Sequence, residues 1–230
     1  MEYYELKIKV ILSEDMEYTK TSYKIGVFIN NSMLNNKLLK KLHEERFYKY
    51  VYDTFYPLEK DGVYKKGKYY TFRLRSINIQ LLNKMAMAIY NHEYFGIKAV
   101  DLDIHIKKVE KIEQLFAIKP VIITVDNKPW LEKNNSIDIM KCKLNDNLSK
   151  KLKQFEGEEF LEEPIDFIDS IEIINRKPAK YSYKNVTLLG NKLNIKVKSD
   201  ELSQKKALMA IALGLGEKGS SLGAGFCNYI

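Results

Sequence analysis

Three histidines, His43, His92 and His105, are the side chains of this 230-residue sequence best suited to move protons at neutral pH. They are scattered, and none lies near a cysteine pair. Cys142 and Cys227 have no metal-ligand spacing and are too few for a disulfide framework. Asp101, Asp103, His105 and Lys107 alternate onto one polar strand face, which reads as cross-strand pairing rather than a metal centre. His92 follows a helical stretch and precedes Glu93, and reads as a complement to the helix dipole. His43 lies on the flank of a Leu34, Leu38, Leu42 stripe, on the side of Lys37, Lys40 and Lys41. Metal-dependent hydrolysis is disfavoured, and neither a metal nor a cofactor is expected.

A second feature with chemical meaning is residues 214–226, GLGEKGSSLGAGF, with glycine at 214, 216, 219, 223 and 225. Exposed amides of such a loop bind phosphate. Nucleotide-binding loops run strand, loop, helix, with the phosphate at the helix N-terminus. Here an apolar helix precedes the loop and a strand follows, and there is no Gly-Lys-Ser/Thr ending. A nucleotide-binding loop is therefore not expected. From the residues alone, the alternative is a tight helix-to-strand connection.

Hydrophobic periodicity supplies the elements that must position these groups. In the first half it predicts strands at 5–12, 24–29, 47–56, 68–76 and 97–109, and helices at 33–43 and 78–90. Residues 47–76 read as a hairpin. In the second half it predicts a strand at 114–125, partly demoted by Pro120, and a Lys-rich helix at 145–155. Strands at 168–174 and 191–198 flank a less regular, Tyr-bearing stretch at 177–189. A helix at 202–213, capped at Ser199-Asp200, and a strand at 225–230 complete it. Each half thus reads β-α-β-β-α-β, an α+β fold of two tandem ferredoxin-like domains, 1–113 and 114–230. No Pro/Gly/Ser linker separates them near 111–116, so they should pack closely.

The net charge of +8 is concentrated. Residues 37–75 carry 11 basic and 5 acidic side chains, and residues 176–218 carry 10 basic and 3 acidic. Two basic segments in an otherwise slightly acidic chain suggest a local polyanion site, the two facing one another across a cleft. No apolar run reaches the ~18 residues of a membrane span. The acidic start carries no apolar signal core, so a cytoplasmic location is expected.

A helix, Gly-x-Gly, a short basic-polar spacer, Gly-x-Gly and a closing strand resemble the signature of the CRISPR-associated RAMP proteins. The closest resemblance is to their endoribonucleases that cut the CRISPR repeat transcript, the sixth Cas family. Gly214, Gly216, Gly223 and Gly225 fall on the signature glycines and Lys218 in the spacer, which is slightly longer than usual. The resemblance implies two ferredoxin-like domains and metal-independent cleavage of repeat RNA (pre-crRNA). The RNA's 2′-OH attacks the adjacent phosphate, leaving a 2′,3′-cyclic phosphate and a 5′-OH. Such a cut calls for a base, an acid and a cation. The resemblance points to His43 as the catalytic histidine, with Lys49 and Tyr23 in support; Arg46 is a candidate to clamp phosphate or to pair with Glu44 or Glu45. Arg176, Lys177, Lys180, Tyr181, Tyr183 and Lys184, in a basic Tyr-bearing stretch, are further candidates for RNA contact. The implied partner is CRISPR repeat RNA, with interference-complex subunits or a second copy of the chain as further candidates. The alternative function is a non-catalytic RAMP subunit that binds guide RNA.

Overall fold

The computed structural model describes every residue except 35, 45–48, 158–164 and 185, and only the backbone of 42–44. The first half contains β1 (Glu2–Leu12), α1 (Tyr18–Met33), α2 (Lys37–Glu44), β2 (Val51–Tyr52), β3 (Tyr69–Ser76), α3 (Ile79–Ile89) and β4 (Ile97–Lys108). Its antiparallel sheet has the order β2-β3-β1-β4, extended by a short strand at Glu93–Tyr94. The alternation in β1 buries Leu6, Ile8, Val10 and Leu12 under α1 and α3, while Lys7 and Lys9 stay exposed.

The second half contains β5 (Gln114–Ala117), α4 (Ile137–Glu156), β6 (Ile168–Ile173), β7 (Ala179–Tyr183), β8 (Val186–Gly190), β9 (Leu193–Val197), α5 (Glu201–Leu213), α6 (Gly219–Leu222) and β10 (Cys227–Tyr229). Its sheet has the order β6-β9-β5-β10, again antiparallel. β7 and β8 form a separate two-stranded hairpin. The chain is therefore a mixed α+β structure with two main antiparallel sheets.

Four expectations are corrected. Residues 24–29 are not a strand but the middle of α1, whose buried positions Thr21, Ile25, Phe28, Ile29, Ser32 and Met33 follow helical spacing. Two of those positions are small and polar, so an apolar count misses the stripe. The expected strand at 47–56 is only Val51–Tyr52 plus a bridge between Tyr56 and Thr71, and 45–48 lie outside the described residues. The basic, hairpin-like stretch at 177–189 is, as expected, a hairpin, β7–β8, turning at Lys184 in the left-handed region. The strand expected at 114–125 stops at Ala117, before Pro120. α4 begins eight residues before the expected start, at Ile137, where the Ser136 Oγ accepts from the Ile139 amide.

The two halves are joined by burial. α5 is buried nearly all round because it packs on α4 and β10 and also on β1 and β3 of the other sheet. Beside it lies Arg75, only 3% exposed. Its Nε donates to Glu5 Oε2 at 2.8 Å, Nη1 to the Cys227 carbonyl at 2.7 Å and Nη2 to Asn228 Oδ1 at 3.0 Å. Its guanidinium lies 4.1 Å from the centroid of the Phe226 ring. Arg75→Met would leave buried Glu5 with only Arg73, whose Nη1 is 4.0 Å from Oε2, and should destabilise the protein by about 3 kcal/mol in urea unfolding. Adding Glu5→Gln should recover part of that loss; no recovery would mean that the carboxylate is not the source of the cost.

Candidate nucleic-acid interface

The glycine-rich segment is mostly buried, and its backbone is tied to both halves. Gly214, Gly216, Gly223 and Gly225 all have positive φ. At Gly225 (φ +70°) a Cβ would overlap the Leu215 carbonyl, so no other residue fits there. The spacer is not an open loop: residues 219–222 make the single turn α6, flanked by Lys218 and Gly223, both left-handed. α1 passes close beneath, since a Cβ on Gly26 would meet the Ser221 carbonyl and the Tyr52 hydroxyl. A small core of Ile122, Tyr181, Leu222 and Ala224, with Tyr23, Tyr183 and Leu188 around it, supports this corner.

Two lysines hold the segment from behind. Lys119, 6% exposed, donates through Nζ to the Leu222 carbonyl and to Ser22 Oγ, both at 2.8 Å. Lys151, on α4, donates to the Gly214 carbonyl at 2.6 Å and the Gly216 carbonyl at 3.1 Å. Carbonyl oxygens of the segment are thereby turned onto these two amines, away from any approaching phosphate. Burial lowers the pKa of both amines to about 7, opposed by Asp53 at Lys119 and by Cys227 and Glu217 at Lys151. Sequence reasoning missed both lysines. Lys151 was visible only as one residue of a Lys-rich helix, and its signal is its place beside Leu148 and Leu152 of the buried stripe.

Lys218 marks the exposed edge of this support, between two depressions. One is an open cleft of about 730 Å³ lined by Asn30, Asn31, Leu34, Tyr94, Tyr183 and Lys184, with Ser220 and Ser221. The other lies toward α4 and is lined by Tyr50, Lys150, Lys151 and Gln154. The Lys218 and Lys184 ammonium groups are 5.5 and 5.7 Å from the Tyr183 ring centroid. Cations, hydroxyls, amides and two aromatic rings on a shared cleft suit a phosphate backbone with unpaired bases. Asn30 and Asn31 were not singled out from sequence, because amides on a helix carry no motif.

The structure brings some of the expected site residues together and separates others. Tyr23 packs edge-on against Tyr183 at 6.2 Å, beneath the cleft. Lys49 Nζ donates to the Gln154 carbonyl near the end of α4, at 3.3 Å, on the other side of Lys218. Tyr181 is a core residue rather than a stacking surface: it is 6% exposed and its hydroxyl donates to the Pro120 carbonyl. Gly214, Gly216, Gly223 and Gly225 are buried, and contribute shape rather than contact surface. Arg176, Lys177 and Lys180 are exposed on the hairpin and its approach, away from the lining of the two depressions. The His43 side chain and all of Arg46 lie outside the described residues. His105 pairs with Asp103 at 3.0 Å, a neighbour two residues away on its own strand rather than the cross-strand partner expected. Among the described residues, no three His, Cys, Asp or Glu side chains form a metal-holding group, and no helix is long and apolar enough to cross a membrane.

The two buried amines have a measurable consequence. In the unfolded chain they stay charged until about pH 10.4, so from pH 7 to about 8.5 the unfolded chain binds more protons. Stability should therefore rise with pH in that window, by at most about 1.4 kcal/mol per pH unit for each lysine. Lys119→Met and Lys151→Met should each flatten the rise in urea unfolding. A slope unchanged in both variants would show that the amines keep ordinary basicity.

No protein-family model matches the chain, and no curated protein matches it either. Solved structures do. A CRISPR-associated protein Cas6 aligns over 99% of both chains with a TM-score of 0.73 and 18% identity. A RAMP protein binding different RNA substrates aligns over 99% of both chains, with a TM-score of 0.72 and 14% identity. A Cas6 product complex aligns over 100% of both, with a TM-score of 0.65 and 13% identity. At these identities the likeness is one of architecture, and over its whole length this chain has the fold of the CRISPR-associated RAMP proteins, Cas6 among them.

Proposed function

We propose that this chain is a RAMP endoribonuclease that cuts CRISPR repeat RNA to guide RNAs without a metal. The observation that carries the reading is the cleft at Lys218. There the glycine-rich segment, α1 and the basic hairpin meet, in a fold shared end to end with Cas6 structures. The strand order second-third-first-fourth, repeated in both sheets, supports two ferredoxin-like units, 1–113 and 114–230.

In the proposed reaction the 2′-oxygen loses its proton to a base and bonds to the adjacent phosphorus. The bond from phosphorus to the 5′-oxygen breaks, and an acid protonates the leaving oxygen. His43, on α2 ahead of Tyr50, is our choice for proton transfer. Lys49 and Tyr23, one on each side of the Lys218 edge, are our choices for charge and hydrogen-bond support. Lys218, Lys184 and Arg46 would hold phosphates. A soluble cytoplasmic protein acting on RNA alone, as a homodimer or beside interference-complex subunits, fits this reading.

The second reading is a RAMP subunit that binds guide RNA without cutting it. It is favoured by the placement of two histidines: His105 is on β4 paired with Asp103, and His92 has its Nε2 buried. Incubation with the repeat RNA in EDTA separates the two. We expect one cut per repeat, with a cyclic phosphate end, and His43→Ala should slow it about 10²–10⁴-fold while RNA binding persists. Cleavage that needs Mg²⁺ would refute the proposed chemistry, and binding without any cleavage would select the second reading.

A further inference from the structure

The cleft extends onto a hairpin that none of the chemistry above uses. The strand Glu93–Tyr94 pairs with the start of β4, Tyr94 opposite Ile97, so Phe95 and Gly96 form a two-residue turn. Their φ values are +53° and +81°. Both central residues of such a turn lie in the left-handed region, which favours Asn-Gly; a phenylalanine there is strained. It is not held there to fill a core, since Phe95 is 46% exposed and Tyr94 41% exposed.

The rings are ordered from inside outward. Buried Phe28 packs on His92 at 5.1 Å, His92 stacks with Tyr94 at 6.4 Å and an interplanar angle of 20°, and Tyr94 meets Phe95 at 6.2 Å. The His92 Nε2 is buried with no hydrogen-bond partner, so His92 contributes here as a ring. Lys24 lies 4.9 Å from the Phe95 centroid and is itself paired with Glu14. Tyr94 lines the same cleft as Lys184 and Lys218. Exposed, pre-ordered rings beside fixed cations match a strand that carries both phosphates and unpaired bases.

We propose that the Tyr94-Phe95 tip is a stacking platform for unpaired bases of the RNA strand that occupies the Lys218 cleft. The inference rests on the RNA reading above and adds to it where the strand goes. Strain at Phe95 persists because the turn displays the ring, and relief of the strain should separate stability from binding.

The test uses the full chain and an unstructured, fluorescein-labelled RNA, beside the same strand with abasic residues. Tyr94→Ala should weaken binding of the intact strand about tenfold and narrow its advantage over the abasic strand. Phe95→Asn should raise the melting temperature, since Asn-Gly suits the turn, and yet weaken RNA binding. Affinity within about twofold of the parent in both variants would overturn the inference. So would loss of self-association in ultracentrifugation with RNA affinity unchanged, which would make the tip a contact between copies. Failure of the unaltered protein to bind RNA would instead refute the RNA reading itself.

Discussion

One buried guanidinium ties the molecule together. Arg75 belongs to the first sheet, but two of its three hydrogen-bonded partners, Cys227 and Asn228, belong to the last strand of the second. Its planar fork satisfies a carboxylate, a carbonyl and a side-chain amide at once, which a lysine ammonium could not do in the same plane. The ring it covers, Phe226, has a backbone carbonyl that accepts from the amides of Ile118 and Lys119. The line of contacts thus runs from Glu5 through Arg75 and Phe226 to Lys119, and from Lys119 into the glycine-rich segment.

That line makes the site a product of both halves. Val51 and Tyr52 lie against the glycines from the first half, while Ile122 and Pro120 receive their hydrogen bonds from the second. The two basic stretches of the sequence meet at this seam in part: Lys49 reaches the end of α4, and Lys184 and Lys218 share the neighbouring cleft. Other basic side chains of these stretches serve structure: Arg73 is locked onto Asp53, and Lys206 is buried with its amine on the Ile165 carbonyl.

How much of this was legible follows from what each signal measures. The alternation of Leu6, Ile8 and Val10 and the cap at Asp200 reported their elements directly, because burial on one face and an unpaired amide each leave a local mark. α1 was misread because its buried face includes Thr21, Gly26 and Ser32, residues chosen for close approach rather than for apolarity. The glycines mark a corner where backbones pack tightly, and the exposed polar groups there are Lys218 and its neighbours rather than the glycines themselves. Tyr181 shows the same limit, since a tyrosine in a basic stretch looks like a base-stacking residue until its hydroxyl is found on the Pro120 carbonyl. Lys119 was illegible because nothing local distinguishes a buried lysine from a solvated one, and Lys151 was marked only by its place beside the buried stripe of α4.

The seam also sets an order of events during synthesis. Arg75 and its Cys227 acceptor are 152 positions apart, so the first sheet leaves the ribosome long before its guanidinium has all its acceptors. Until then the face that α5 will cover is open, and the nascent chain has a basic surface but no cleft. Contacts of such long range close late. The edge at Lys218 is consequently completed only once the last strand of the second sheet has been made.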